Sequence, residues 1–74
     1  MKRLIARRVI DKDAIYLAGH GSRDLLIAVG GKARWSRPQR AWVTSVRRGS
    51  DAIALAELRG YDVDYSEVEL GGDA

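Results

Sequence analysis

The chain has 74 residues and a net charge of +3, with one histidine and no cysteine. This length gives a single small core, and the composition excludes a disulfide and the usual His/Cys zinc sites. No apolar run approaches the ~20 residues that span a bilayer, and the basic start MKRLIARRVI lacks the unbroken apolar region of a secretory signal. We therefore expect a cytoplasmic domain that binds no membrane, metal or cofactor.

Charge is distributed unevenly along the chain. Residues 1–48 contain twelve Lys/Arg and three acids, a net charge of +9, whereas residues 49–74 contain one Arg and seven acids, a net charge of −6. One interpretation is a basic face for an acidic partner and an acidic face elsewhere. The other is mutual neutralisation of the two halves, within one fold or across a dimer.

The first half of the chain predicts a hairpin and then a helix. Residues 3–10, RLIARRVI, and 14–18, AIYLA, have strand composition and are separated by a polar turn. Ser22 is a candidate N-cap, and Gly30-Gly31 supplies a stop. The segment LLIAV between them suits a buried strand as well as a helix, but the residues at its two ends favour the helix.

A second hairpin is predicted from the segments KARW and RAWVTSV. Pro38-Gln39 is the natural tip, because proline fixes φ near the value that a type I turn requires. In this register Trp35 lies opposite Trp42 on one face of the hairpin. We interpret both indoles as core, since a chain without phenylalanine has few large apolar side chains. Exposed indoles that stack on bases are the alternative.

The second helix is predicted to begin at Ser50 and Asp51, after a loop at Arg47-Arg48-Gly49, and to end at Gly60. Apolar residues cover most of its circumference, which predicts burial on more than one side or an oligomer interface. The candidate interface residues are Ile53, Leu55 and Ala56. A last strand, YDVDY, follows at 61–65 and extends through Val68 or Leu70.

The resulting element order is β-β-α-β-β-α-β. It favours an α+β fold in two layers, an antiparallel sheet with two short helices on one face. We expect one domain over residues 1–70 and a disordered tail at 71–74.

The main candidate site is the acid-free basic stretch between residues 32 and 48. Arginine and lysine side chains neutralise phosphates, so this pattern is typical of nucleic-acid contact, with an acidic protein surface as the alternative partner. The six candidate residues are Lys32, Arg34, Arg37, Arg40, Arg47 and Arg48.

Two other patterns are weaker. His20 and Ser22 are close in sequence, but near neighbours in a chain rarely align as base and nucleophile, and no second histidine is present. We therefore predict no catalytic residues. The acids between residues 62 and 69 lack the glycine turn of a calcium loop and are interpreted as solvated outer-face charge.

The segment from Asp24 to Val63 resembles the HARP-type domain, a small module of annealing helicases that contacts branched DNA. Trp35, Trp42 and the element order carry this resemblance. It implies DNA contact and an aromatic pair that packs the hairpin on its helix. The whole chain is similar to small arginine-rich proteins of actinobacterial phages, which implies binding of a host component.

We therefore predict a non-enzymatic module that binds nucleic acid through a basic hairpin, Lys32 to Arg48. The alternatives are a phage-type inhibitor or adaptor of a host protein, and a homo-oligomer that uses helix 51–59.

Overall fold

The computed structural model describes residues 2–69, and these form five strands and two helices in the predicted order. The bounds of the elements are β1 Arg3–Val9, β2 Ile15–Gly19, α1 Ser22–Ala28, β3 Arg34–Ser36, β4 Ala41–Thr44, α2 Val46–Leu58 and β5 Asp62–Val68. The predicted tail at 71–74 lies outside the described residues. No helix within residues 2–69 is long and apolar enough to cross a bilayer.

The five strands form one sheet in the order β3-β4-β2-β1-β5. The pairs β1–β2, β2–β4 and β3–β4 are antiparallel, as predicted, but β5 pairs parallel with β1. The sheet is therefore mixed. A single helix connects β4 to β5 and returns the chain to the end of the sheet where β4 began, so β5 runs in the same direction as β4. Strand β1 also runs in that direction, because β1 and β4 are both antiparallel to β2.

Both helices pack on one face of the sheet, and the core lies between the layers. Leu4 and Leu17 project from the two central strands toward buried Leu25, Leu26 and Ala52 of the helices. Most core side chains are aliphatic, and several are alanines, so the two layers approach closely. This arrangement confirms the predicted α+β architecture with two helices.

Both helix stops follow from the sequence, but both starts differ from the prediction. The N-cap of α1 is Gly21, with a φ of 67°, whereas the predicted cap Ser22 is the first helical residue and its side chain accepts no capping hydrogen bond within residues 2–69. At the end of α2 the N–H of Gly60 donates to the carbonyl of Glu57 and that of Tyr61 to the carbonyl of Ala56, the bond pair that typically ends a helix at glycine. Gly30 and Gly31 make the equivalent bonds at the end of α1. Both predicted stops are confirmed.

The start of α2 differs from the prediction. The helix begins at Val46, because the hydroxyl of Ser45 accepts the Arg48 N–H at 3.3 Å. Gly49 therefore lies inside the helix, where a Cβ would fall 2.8 Å from the side chain of Ile15. A residue that resembled a loop glycine thus provides close contact between α2 and β2, and the predicted loop Arg47-Arg48-Gly49 is the first turn of α2.

The second hairpin has the predicted register. Ser36 pairs with Ala41 and Trp35 with Trp42, and the Arg40 N–H donates to the Arg37 carbonyl at 3.2 Å across the turn. The two indoles lie on the helix-facing side of the sheet, but they differ in burial. Trp42 packs against the core, whereas Trp35 is 52% exposed. The interpretation of both as core is wrong for Trp35, because its edge strand extends beyond the area that the helices cover.

Candidate nucleic-acid interface

Ion pairs between β1 and β5 neutralise part of the opposite charge of the two halves of the chain. Arg3 lies 3.9 Å from Asp62, and Arg7 lies 3.3 Å from Asp64. A further pair joins Arg8 and Glu67 at 3.9 Å. The parallel register produces these pairs by placing the basic strand beside the acidic one. Of the two interpretations of the charge asymmetry, mutual neutralisation therefore applies to the N-terminal arginines and the acids of β5.

Asp64 has the most specific of these environments. The two terminal nitrogens of Arg7 each donate to one carboxylate oxygen of Asp64 at 3.3 Å, and one of them also donates to the Asp64 backbone carbonyl at 2.8 Å. The side-chain hydrogen bonds and the charge of Arg7 hold the pKa of Asp64 below its ordinary value of 3.8; burial opposes this effect, and Arg3 contributes least.

The lowered pKa of Asp64 predicts that the stability of the protein depends on pH in the acidic range. The stabilisation is present above the unfolded-state value of 3.8 and is lost as the pH falls through the folded-state pKa of Asp64. We expect the thermal midpoint to fall as the pH drops below 3.8, and Asp64→Asn to reduce the size of that fall. Thermal unfolding followed by circular dichroism measures it. Glu57→Gln, at an exposed position on α2, is the control, and an equal reduction in both variants would contradict the assignment.

The cations of the predicted basic stretch behave differently. Lys32, Arg34, Arg37, Arg40 and Arg47 are all exposed. None of them forms a salt bridge with any residue from 2 to 69. The acids of β5 are paired with β1 instead, so the cations of this stretch have no ion-pair partner among residues 2–69. These five residues therefore form an exposed basic surface.

Part of this charge borders a groove at the end of the sheet where β3 begins and β4 ends. The groove has a volume of about 560 Å³, and the cations in its lining are Lys32, Arg34 and Arg48. Asp13 is the acid in the lining, and its carboxylate accepts the Val46 N–H at 2.9 Å. The groove is therefore cationic, and its carboxylate is already hydrogen-bonded to the start of α2.

Arg48 has a structural contact of its own. Its guanidinium donates to the Val29 carbonyl at 3.0 Å and lies 3.9 Å from Asp51. The first contact joins the start of α2 to the end of α1, where carbonyl groups lack helical partners. Of the six predicted contact residues, Arg48 is therefore the one whose side chain also stabilises the helix pair.

Arg37 and Arg40 lie at the other end of the hairpin, in the turn that joins β3 to β4. A strand rises about 3.3 Å per residue, so Arg34 and Arg37 are separated by roughly 10 Å along the backbone. The structure thus divides the predicted site into a groove and a hairpin tip, with Trp35 between them. Arg47, on the first turn of α2, is outside the groove lining.

One further cation at this site was not predicted from the sequence. Arg23, on α1, places its guanidinium carbon 5.7 Å from the centre of the Trp42 ring, an arrangement that favours a cation–π contact. It lies nine residues before the basic stretch, next to Asp24. Only the packing of α1 on the hairpin brings it to the indole pair.

The residues of the alternative protein interface are mostly directed inward. Ala56 is fully buried in the core, which removes it from any exposed interface. Ile53 and Leu55 are partly buried and pack against the same core. The apolar side chain that α2 exposes most is Leu58, at 85%, near the C-terminal end of the helix.

The weaker sequence patterns lie elsewhere. Ser22 is buried at the start of α1, whereas His20 is exposed. No group of three or more His, Asp or Glu side chains that could hold a metal ion occurs among the residues that the structure describes.

Comparison with family models, with curated proteins and with solved structures found no match to this chain. The HARP-type resemblance therefore stays a prediction based on Trp35, Trp42 and the element order.

Proposed function

We propose that this protein is a non-enzymatic module that binds nucleic acid through the basic hairpin and the adjoining turn of α2. The observation that supports it is the distribution of ion pairs. Arg3, Arg7 and Arg8 are paired with β5 acids, whereas the five exposed cations between Lys32 and Arg47 have no acidic partner within residues 2–69.

Uncompensated cations suit a polyanion in particular. Each phosphate that a cation neutralises releases counterions. For each such contact, the affinity falls by roughly 0.7 to 0.9 logarithmic units for every tenfold increase in salt concentration. If Lys32, Arg34, Arg37, Arg40 and Arg47 each meet one phosphate, the slope of log affinity against log salt is roughly −3.5 to −4.5.

Fluorescence anisotropy with a labelled oligothymidylate and a labelled short duplex tests the proposal. We expect binding at low salt that weakens steeply between about 50 and 200 mM salt, with the slope given above. Absence of binding to both oligonucleotides at low salt would refute nucleic acid as the partner.

The second candidate is a protein-binding role, and the exposure of Leu58 favours it. A leucine that is 85% exposed at the end of a helix is available to a host protein or to a second copy of the chain. An acidic protein surface would also complement the basic hairpin. The mass of the protein in solution discriminates here. A dimer that Leu58→Lys converts to a monomer would support the homo-oligomer, and a monomer in both cases would exclude it.

A further inference from the structure

The indole pair of the second hairpin consists of one anchored ring and one displayed ring. The ring centroids of Trp35 and Trp42 are 5.0 Å apart, and the ring planes cross at 65°, an edge-to-face contact. Trp42 is packed against the core, and its contact supports Trp35 from one side. Trp35 itself is 52% exposed, so a large aromatic surface is held in a defined orientation in water.

This exposure is unusual for the composition of the chain. The protein has two tryptophans, three tyrosines and no phenylalanine, and its core consists of leucine, isoleucine and alanine side chains. A domain so poor in aromatics gains most from burying its largest side chain, because stabilisation scales with the apolar area removed from water. The structure instead leaves half of Trp35 available to a partner.

The charge around Trp35 is of one sign. Residues 25–50 contain no acid, and Trp35 lies on β3 between the groove lined by Lys32 and Arg34 and the tip that carries Arg37. Arg23 adds a further cation beside the Trp42 ring. An exposed aromatic between cations offers one surface for a base and positions on both sides for phosphates.

We propose that the nucleic acid is single-stranded and that one unpaired base stacks on the exposed side of Trp35. The phosphates on either side of that base are neutralised by Lys32 at the groove and by Arg37 and Arg40 at the tip, whereas the Arg34 side chain alternates to the opposite face of β3 from Trp35. Bases in a duplex already stack on one another, so only an unpaired or flipped base presents its face to an indole. This inference rests on the proposed function and specifies the ligand of the same site.

Binding of a labelled oligothymidylate and a labelled short duplex to Trp35→Ala tests the inference. Loss of one stacked base weakens binding by roughly 5- to 150-fold. We expect that loss for the oligothymidylate, a change of less than about twofold for the duplex, and an unchanged salt slope, because no phosphate contact is removed. Trp35→Phe keeps an aromatic face and is expected to restore most of the affinity.

Two controls separate stacking from damage to the fold. Ile27→Ala removes a similarly exposed apolar side chain, 49% exposed on α1, and is expected to leave both affinities unchanged. The variant Trp42→Phe leaves Trp35 as the single tryptophan, so oligothymidylate is expected to quench the remaining tryptophan fluorescence. A melting curve for each variant verifies folding.

The outcomes distinguish this inference from the proposed function. If the unmodified protein binds both oligonucleotides and Trp35→Ala changes neither affinity, stacking is refuted while nucleic-acid binding stands. Equal losses for both oligonucleotides in Trp35→Ala also refute it. If the unmodified protein binds neither, the proposed function fails and the inference fails with it.

Discussion

Gly19→Ala is expected to lower the free energy of unfolding by about 2 to 5 kcal/mol. Gly19 has a φ of 110° and pairs with Leu4 at the end of β2. Alanine is strained at this φ, and its Cβ would overlap the carbonyl oxygen of Arg3. That oxygen belongs to the backbone of the central strand β1, so it cannot move without disturbing the pairing on both of its sides.

A loss of this size is large for so small a protein. At roughly 0.05 to 0.15 kcal/mol per residue, the whole domain is stabilised by roughly 4 to 11 kcal/mol. We therefore expect the urea midpoint of Gly19→Ala to fall by roughly a fifth or more, as measured by far-ultraviolet circular dichroism.

Gly60→Ala is the matched control for this substitution. Gly60 also has a positive φ, 82°, but apart from its own chain neighbours no atom of residues 2–69 lies within 4 Å of the Cβ that alanine would add. It therefore measures backbone strain alone, at about 1 kcal/mol. If the two variants lose equal stability, the contact with Arg3 is not the cause of the Gly19 effect.

Local patterns in the sequence predicted most of the fold. The Pro38-Gln39 turn was enough to align Trp35 with Trp42, because a hairpin register depends only on its turn and the alternation of side chains. Gly30 and Gly60 likewise predicted the helix ends, because a helix stop at glycine depends only on the local backbone. These features are determined by residues that are close in the chain.

Features that depend on distant contacts were not predictable in the same way. The parallel pairing of β5 with β1 depends on the path of α2 across the sheet, which no local pattern encodes. Gly49 was interpreted as a loop residue because glycine is unfavourable inside a helix. Its actual function, close contact with Ile15, becomes visible only when both elements are packed together.

The candidate site also combines features that the sequence predicts locally with features that depend on distant contacts. The six cations were identifiable from the sequence because they form one acid-free stretch. Their separation into exposed residues and a structural one was not, since the hydrogen bond from Arg48 to Val29 spans 19 residues. The exposure of Trp35 also depends on how far the helices cover the sheet. Composition thus located the charge, and tertiary packing determined which side chains remain available to a ligand.

Removal of three cations from the basic hairpin is expected to have the largest effect on binding. The triple variant Lys32→Gln, Arg34→Gln and Arg37→Gln removes exposed residues from both the groove and the tip. Loss of three phosphate contacts reduces the salt slope by roughly 2 to 3. Since counterion release no longer favours binding near 1 M salt, this reduction means a loss of affinity of roughly 100-fold or more at about 0.1 M salt.

A matched triple variant distinguishes a local contact from the effect of net charge. Lys2→Gln, Lys12→Gln and Arg59→Gln also remove three exposed cations, so both variants change the net charge of +3 to zero. If the hairpin is the binding surface, the control retains nearly the slope and affinity of the unmodified protein, because long-range charge is screened beyond about 10 Å at 0.1 M salt. Equal losses in the two variants would show that the protein attracts nucleic acid through its overall charge, and the hairpin would then have no specific role in binding.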